Sequence, residues 1–311
     1  MKYLFFITYL FGSLALYVVL ASALVGAVVT AGRRRLARLE PSAQSRIALA
    51  AAVAPAFLGA VFEGGAIYDI VLSGPADFCL RPHDSAAPSL ILLLSVAILA
   101  GRVLTCGIQT IVDVVRAVRL GRALPGAAPK AFMDCLVLPV EEPQAYVLGL
   151  LKPRVYISRG LLKQTNEDDL APVLAHERAH AARRDPLRRL IASAGLVLHL
   201  PGIAHLLDRL LTRTQEMAAD ADAARTVGDP VRVAESLVRF ARLQGPGRAT
   251  AVEFGSGDLE ARVRKLLDSH QRCGSAPSAA ALVGCSAALC LLALFAAHGL
   301  HYLGQALLRL P

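Results

Sequence analysis

The chain has 311 residues, of which 55% are hydrophobic and 18% charged, with no tryptophan and a formal net charge of +9. So apolar a composition excludes an ordinary soluble domain and leaves room for several membrane spans plus one compact aqueous domain. The arginines crowd around apolar runs, which is the orientation signal of a membrane protein rather than a nucleic-acid surface, so no direct nucleic-acid binding is expected. The six cysteines form no CxxC pair, which points neither to a disulfide framework nor to a thiolate metal site.

In chain order, residues 3–32 are uncharged and long enough for a first membrane helix, and too long for the core of a signal peptide. A second apolar run, 47–72, holds Pro55 and Glu63, and a third, 86–112, holds Arg102. Glu63 and Arg102 either mark a polar site within the membrane or sit near an interface, snorkelling or pairing with each other. Residues 276–297 form a fourth uncharged run. Loop 33–46 carries Arg33, Arg34, Arg35, Arg38 and Arg46 against Glu40, whereas loop 73–88 has only Arg81 as a cation. The positive-inside rule then sets the N-terminus outside a bacterial inner membrane, loop 33–46 inside, and the Arg-rich segment 116–275 in the cytoplasm.

The expected organisation is three membrane helices over 1–116, a cytoplasmic domain over 117–275, and a fourth helix with a short external tail over 276–311. Residues 123–129, Ala-Leu-Pro-Gly-Ala-Ala-Pro, read as the entry linker. Strand-like runs follow at 135–140, 146–150 and 154–158, the last two joined through Lys152-Pro153 as a hairpin or bent pair. A helix is expected from about Asp168–Asp169, with Pro172 in or near its first turn.

That helix carries His176-Glu177-Arg178-Ala179-His180. Positions i and i+4 share a helix face, so both imidazoles reach one metal ion, and Glu177 is placed to take a proton from a metal-activated water. A catalytic zinc needs a third protein ligand and an open position. Glu216, on the helical stretch 215–222, is the best candidate, and Asp220, one turn on, is suited to fix the tautomer of a ligand histidine. Asp185-Pro186 suits a capping residue with proline at the first position of the next helix, and Asp185 is also a candidate, with Asp220, to support a ligand histidine from behind. One Zn2+ is the expected cofactor.

These residues give the chain a marked resemblance. Residues 173–180 with Asp185, Glu216-Met-Ala-Ala-Asp220, the upstream stretch 149–161 and the late Leu259-Glu-Ala-Arg-Val-Arg-Lys-Leu266 resemble the integral-membrane gluzincin peptidases of the BlaR/MecR type, the beta-lactam-sensing signal transducers. The resemblance implies a four-span membrane α-helical protein with a cytoplasmic α+β zincin domain. It further implies His176, His180 and Glu216 as zinc ligands and Glu177 as general base. Strand 145–149, with Tyr146, Val147 and Gly149, would hold a substrate backbone by strand addition. Arg262 would steady the domain or an anionic group, or else belong to a salt-bridged helix surface. Those transducers carry a large extracellular ligand-binding domain after the last span. This chain ends soon after its fourth run, so antibiotic sensing is not expected to carry over.

Residues 190–207 are uncharged and long enough for another crossing. Because His180 and Glu216 must meet at one metal, the chain between them crosses the membrane an even number of times, and eighteen residues are too few for two crossings. Pro201-Gly202 also interrupts the run, so a buried or interfacial helix, a turn and a second helix are expected. His199 and His205 within it are either oxyanion donors or packed and solvated side chains.

The function these readings imply is a membrane-embedded zinc endopeptidase acting on a protein or peptide, with the lipid bilayer as a partner and a homodimer allowed. One version is regulatory, cleaving a cytoplasmic transcriptional repressor or itself. Another is quality control of membrane proteins in the manner of HtpX-type enzymes, although those usually place two spans between the zinc helix and the third ligand. A non-catalytic receptor or scaffold with a relic zinc site, and more remotely a transporter, are the alternatives of other classes.

Overall fold

The computed structural model describes residues 2–73, 90–123, 130–132, 134–244 and 256–268. Three long helices come first: α1 (Lys2–Leu36), α2 (Pro41–Ser73) and α3 (Leu90–Ala123). Among the described residues, two helical stretches, Leu14–Leu36 and Pro41–Val61, are long and apolar enough to cross a membrane, and α3 contains a shorter apolar stretch, Val96–Gln109. The loop at 74–89, the linker at 124–129 and the fourth apolar run, with its tail, lie outside the described residues.

A four-stranded sheet follows, β1 (Lys130–Phe132), β2 (Cys135–Leu138), β3 (Ala145–Leu148) and β4 (Arg154–Ser158), in the order β1-β2-β4-β3. β2 and β4 run parallel and the other neighbours antiparallel. The sequence reading missed β1, which directly follows the Pro/Gly-rich linker and is only three residues long. It pairs back on β2 around Asp134, whose φ is 61°. β3 and β4 form the expected hairpin, with Tyr146 opposite Tyr156 and their rings stacked at 6.0 Å. Gly149 turns that hairpin at φ 107°, and a Cβ there would lie 2.7 Å from the Lys152 carbonyl oxygen, so the turn requires glycine. With β1 at one end of the sheet, β3 is the other edge strand. Ser158 ties down the start of β3 by accepting the Gln144 N–H at 2.9 Å.

Helices α4 (Arg159–Gln164) and α5 (Glu167–Arg183) close over the sheet. Their shared core is Cys135, Val155, Ile157, Leu161, Leu170 and Leu174. α5 starts one residue earlier than expected because Asn166 caps it, accepting the Asp169 N–H at 2.7 Å. Pro172 is therefore the sixth helical residue, beyond the first turn. The Asp168 carbonyl that Pro172 cannot bond is taken instead by the Arg232 guanidinium at 2.7 Å.

The uncharged stretch 190–207 is a helical corner. α6 (Asp185–Leu196) ends, the chain turns, and α7 (Pro201–Val227) begins with proline in its first turn. Ala192, Leu196, Ala204, Leu207 and Leu211 of this corner bury against Ala48 and Ala52 of α2, with Val25 and Val29 of α1 alongside. Helices α8 (Pro230–Gln244) and α9 (Ser256–Leu267) complete the described structure.

Three N-terminal helices hold the corner through polar contacts. Pro55 leaves the Ala51 carbonyl without its helical donor, and His199 Nε2 lies 3.2 Å from that oxygen and 3.2 Å from the Ala52 oxygen. Ser22 of α1 accepts the Leu200 N–H at 2.9 Å and lies 3.2 Å from His199 Nδ1. Arg102 of α3 donates to the Leu196 and His199 carbonyls, both at 3.0 Å, satisfying groups that the end of α6 leaves open. Arg102 thus has partners on the corner, while the Glu63 side chain, one of the alternatives for its partner, falls outside the described side chains. α6 also approaches α2 closely at Gly195, where a Cβ would lie 2.4 Å from the Ala52 oxygen. Gly195→Ala should therefore push the two helices apart and cost about 1–3 kcal/mol, read as a lower melting temperature in detergent.

Candidate metal centre

The centre is assembled by α5 and α7. One turn of α5 separates His176 from His180, and their Nε2 atoms converge to 3.1 Å. From α7, Glu216 presents Oε2 3.4 Å from His176 Nε2 and Oε1 3.5 Å from His180 Nε2. Suitable ligand atoms of all three lie within 4.8 Å of one another. Two imidazole nitrogens and a carboxylate oxygen aimed at one point are the donor set of a catalytic zinc site.

The outer ring nitrogens face carboxylates. His176 Nδ1 lies 2.9 Å from Asp220 Oδ1, and His180 Nδ1 lies 2.7 Å from Asp185 Oδ2. This arrangement keeps the proton on Nδ1 and turns the Nε2 lone pair inward. Of the two places the sequence offers Asp185, cap of α6 or support behind a ligand histidine, it does not take the cap. Instead Arg184, in the left-handed conformation, holds the cap position without a side-chain bond, and Asp185 and Pro186 are the first two helical residues. The buried Asp185 carboxylate is engaged by His180 and by Arg183, which donates from Nε at 3.3 Å and from Nη2 at 3.2 Å.

Arg262 of α9 completes the support. It is 2% exposed and not on a salt-bridged surface. Its Nε and Nη2 donate to the two oxygens of Asp220 at 2.7 and 2.8 Å, and Nη1 lies 3.2 Å from Glu216 Oε2. One fork therefore orients both a ligand carboxylate and the carboxylate behind a ligand histidine.

The electrostatics separate the acids. Burial alone would raise Glu216, but His176, His180 and Arg262 hold it well below the usual carboxylate range. Burial likewise opposes ionisation of Asp220 and Asp185, and the Arg262 and His180 contacts respectively, with their neighbours, bring both down. Glu177 moves the other way, raised by desolvation against the pull of the two histidines. Burial disfavours a charged His176 and His180, yet the carboxylates around them prevail, raising His176 and pushing His180 up to about 10. A metal entering this site must displace the proton that His180 holds at neutral pH. Zinc affinity should rise with pH through this range, by roughly tenfold per unit for each proton released, as competition with a colorimetric chelator would measure.

These groups open into a cleft of about 810 Å³. His176, Glu177, His180, Glu216 and Arg262 line it on one side, and Gln144 with Ala145, Tyr146 and Val147 of the edge strand β3 line the other. Val233, Leu237 and Phe240 of α8, spaced one helical turn apart, form an apolar wall. His199 and His205 are not among the cleft residues: His199 is buried at the α6–α7 corner and His205 is exposed on α7. Gly149 lies at the turn after β3 rather than in the cleft.

Sequence reasoning missed Arg183, Gln215 and Arg189. Arg183 reaches Asp185, Asp222 and the Gln215 carbonyl, the last at 3.2 Å. Arg189 donates to the Gln215 side chain at 3.1 Å. The available signal for Arg183 was its place one turn after His180. The α8 wall was also missed, although Val233, Leu237 and Phe240 mark one face of that helix.

Residues 128–207 match the model of peptidase family M48. The matched stretch contains β1 to the start of α7, and so His176, Glu177, His180 and Asp185, but not Glu216, Asp220 or Arg262. The chain is similar to "Protease HtpX homolog" proteins of Desulfatibacillum aliphaticivorans (26% identical, covering 46% of this chain and 64% of the relative) and Acidiphilium cryptum (29%, covering 33% and 48%). A third, from Methanopyrus kandleri, is 29% identical over 34% of this chain and 44% of its own length. The chain thus spans between about half and two thirds of the length of these relatives. No solved structure matches. The segment that matches the peptidase family model contains both converging histidines.

Proposed function

We propose that the protein is a zinc-dependent endopeptidase embedded in the bacterial inner membrane, with its catalytic domain in the cytoplasm and four spans, the last of them at 276–297. The observation that carries this is the convergence of His176 Nε2, His180 Nε2 and the Glu216 carboxylate, with Glu177 beside them in a cleft edged by β3. Zinc supplies Lewis acidity there, polarising a carbonyl and making water acidic near neutral pH. Glu177, with its pKa raised toward the operating range, accepts the proton of the attacking water and returns it to the leaving nitrogen. The free edge of β3 pairs with the backbone of an extended substrate at Tyr146 and Val147. Asp185 and Asp220 keep the histidines oriented, and Arg262 holds Glu216 and Asp220.

The relatives named HtpX homologs favour an activity on membrane proteins. The direct turn from α6 into α7, with no pair of spans between the histidines and Glu216, favours the regulatory reading with a repressor-like substrate. Proteomes of cells with wild-type or Glu177→Gln protein separate the two: many stabilised membrane proteins support the first, one stabilised cytoplasmic protein the second. The shared claim is tested on the purified full chain with an unfolded protein substrate. Chelation should stop cleavage and added zinc restore it; cleavage indifferent to chelation would contradict it.

A further inference from the structure

The tip of the α6–α7 corner meets α1 and α2 well inside their apolar stretches, Leu14–Leu36 and Pro41–Val61. Its partners there are Ser22 on α1 and the Ala51 and Ala52 carbonyls on α2. At the rise of a helix, Ser22 lies about 16 Å along α1 from Arg33, and Ala52 about 9 Å along α2 from Arg46. With those arginines at the lipid headgroups, the tip falls within the hydrocarbon of one leaflet, which is about 15 Å deep.

The corner is composed for that depth. It carries no charged residue from Leu190 to Leu207, between Arg188 and Arg189 on one arm and Asp208 and Arg209 on the other. Each arm, from Arg189 to Leu196 and from Pro201 to Asp208, is about 10 Å long, in agreement with the depth of the contacts. Leu190, Ile191 and Leu206 are exposed, and Ser193 satisfies its hydroxyl by donating to the Arg189 carbonyl at 2.9 Å. Non-helical backbone is tolerated at membrane depth only where protein groups satisfy it. Arg102, inside the apolar stretch Val96–Gln109, does so for the Leu196 and His199 carbonyls, and Ser22 does so for the Leu200 N–H. α7 then runs back along α2. Ala204, Leu207 and Leu211 bury with Ala48 and Ala52, and farther on Met217 and Asp220 share a small cavity with Pro41. The part of α7 that supports the metal centre is thus level with the start of α2.

We propose that residues 190–207 form a re-entrant helical hairpin seated in the cytoplasmic leaflet, with lipid acyl chains against Leu190, Ile191 and Leu206. The hairpin anchors α6, which begins with Asp185, and α7, which carries Glu216, and so fixes the metal centre at the bilayer surface. The proposal rests on the reading of α1 and α2 as membrane helices.

The chain has no tryptophan, so single Trp substitutions report without background. Ile191→Trp and Leu206→Trp probe the two arms. Phe57→Trp on α2 and Val231→Trp on α8, both at exposed positions, serve as membrane and aqueous references. Each full-length variant, with zinc content at the wild-type level as the check of folding, is placed in phosphatidylcholine nanodiscs with or without bromine on the acyl chains. Ile191→Trp and Leu206→Trp should lose most of their emission in brominated discs, as Phe57→Trp should, and resist aqueous acrylamide. Val231→Trp should do the reverse. Bromine near the headgroup should quench the two arms more than bromine at the tail of the chain; the opposite order would contradict a shallow hairpin. Quenching of both arms by acrylamide but not by bromine would overturn the proposal, as would shielding from both quenchers, which would mean that protein, such as a second copy of the chain, covers this face. In either case, a bromine-quenched Phe57→Trp would leave the membrane reading standing. A Phe57→Trp variant insensitive to bromine would refute the membrane reading and the hairpin with it.

Discussion

Replacing Glu177 by Gln should lower peptide hydrolysis by roughly 10²–10⁴-fold while leaving one zinc bound per chain. The amide keeps the shape and the hydrogen-bonding reach of the side chain but accepts no proton. Glu177 is not part of the converging donor set, which consists of His176, His180 and Glu216. Metal content should therefore be unchanged, and the loss should fall on turnover rather than on substrate binding at β3. Metal analysis and steady-state kinetics on the same preparation check this. Loss of zinc in the variant would mean that Glu177 is a ligand, and retained turnover would remove it from the chemistry.

The second large effect is expected at Arg262. Its guanidinium is almost fully buried and engages two carboxylates, Asp220 and Glu216. Arg262→Met removes the partner and leaves both acids desolvated, which should cost about 3–5 kcal/mol of stability. The change should also release His176 from its oriented state, weakening zinc binding by roughly 10–100-fold. Arg262→Lys restores charge without the fork and should recover only part of either loss. The double variant Asp220→Leu/Arg262→Met should be more stable than the sum of its single changes, because Asp220 is no longer left as a buried unpaired charge, yet with Glu216 still lacking Arg262 its zinc affinity should stay low. Thermal unfolding and zinc competition measure the two quantities separately. An additive double variant would mean that Asp220 and Arg262 act independently.

Much of this centre was legible from residues alone because it rests on helical periodicity. His176, Glu177 and His180 are placed by the i, i+4 rule, and Glu216 and Asp220 by the same rule on α7. The requirement that His180 and Glu216 meet also made a corner of residues 190–207 rather than a crossing. What periodicity cannot show is which partner a polar group finds across the fold. Asp185 reads both as a cap, since sequence places it beside Pro186, and as a support behind a ligand histidine, and only the fold shows its carboxylate facing His180. Arg262 reads equally as surface, because its burial depends on α8 and α9 packing onto α7. The carbonyls freed by Pro55 and Pro172 are predictable, but their new donors, His199 and Arg232, come from elements distant in sequence.

The central claim is that His176, His180 and Glu216 hold one zinc ion. X-ray absorption at the zinc edge of the purified full chain tests it most directly. The geometry predicts one equivalent of zinc with two imidazole nitrogens at about 2.0–2.1 Å and oxygen donors at similar range. Substituting Glu216 by Ala should preserve the imidazole signal in whatever zinc remains and reduce the oxygen shell. Sulfur scattering, or a full zinc complement in a His176→Ala/His180→Ala variant, would contradict the assignment.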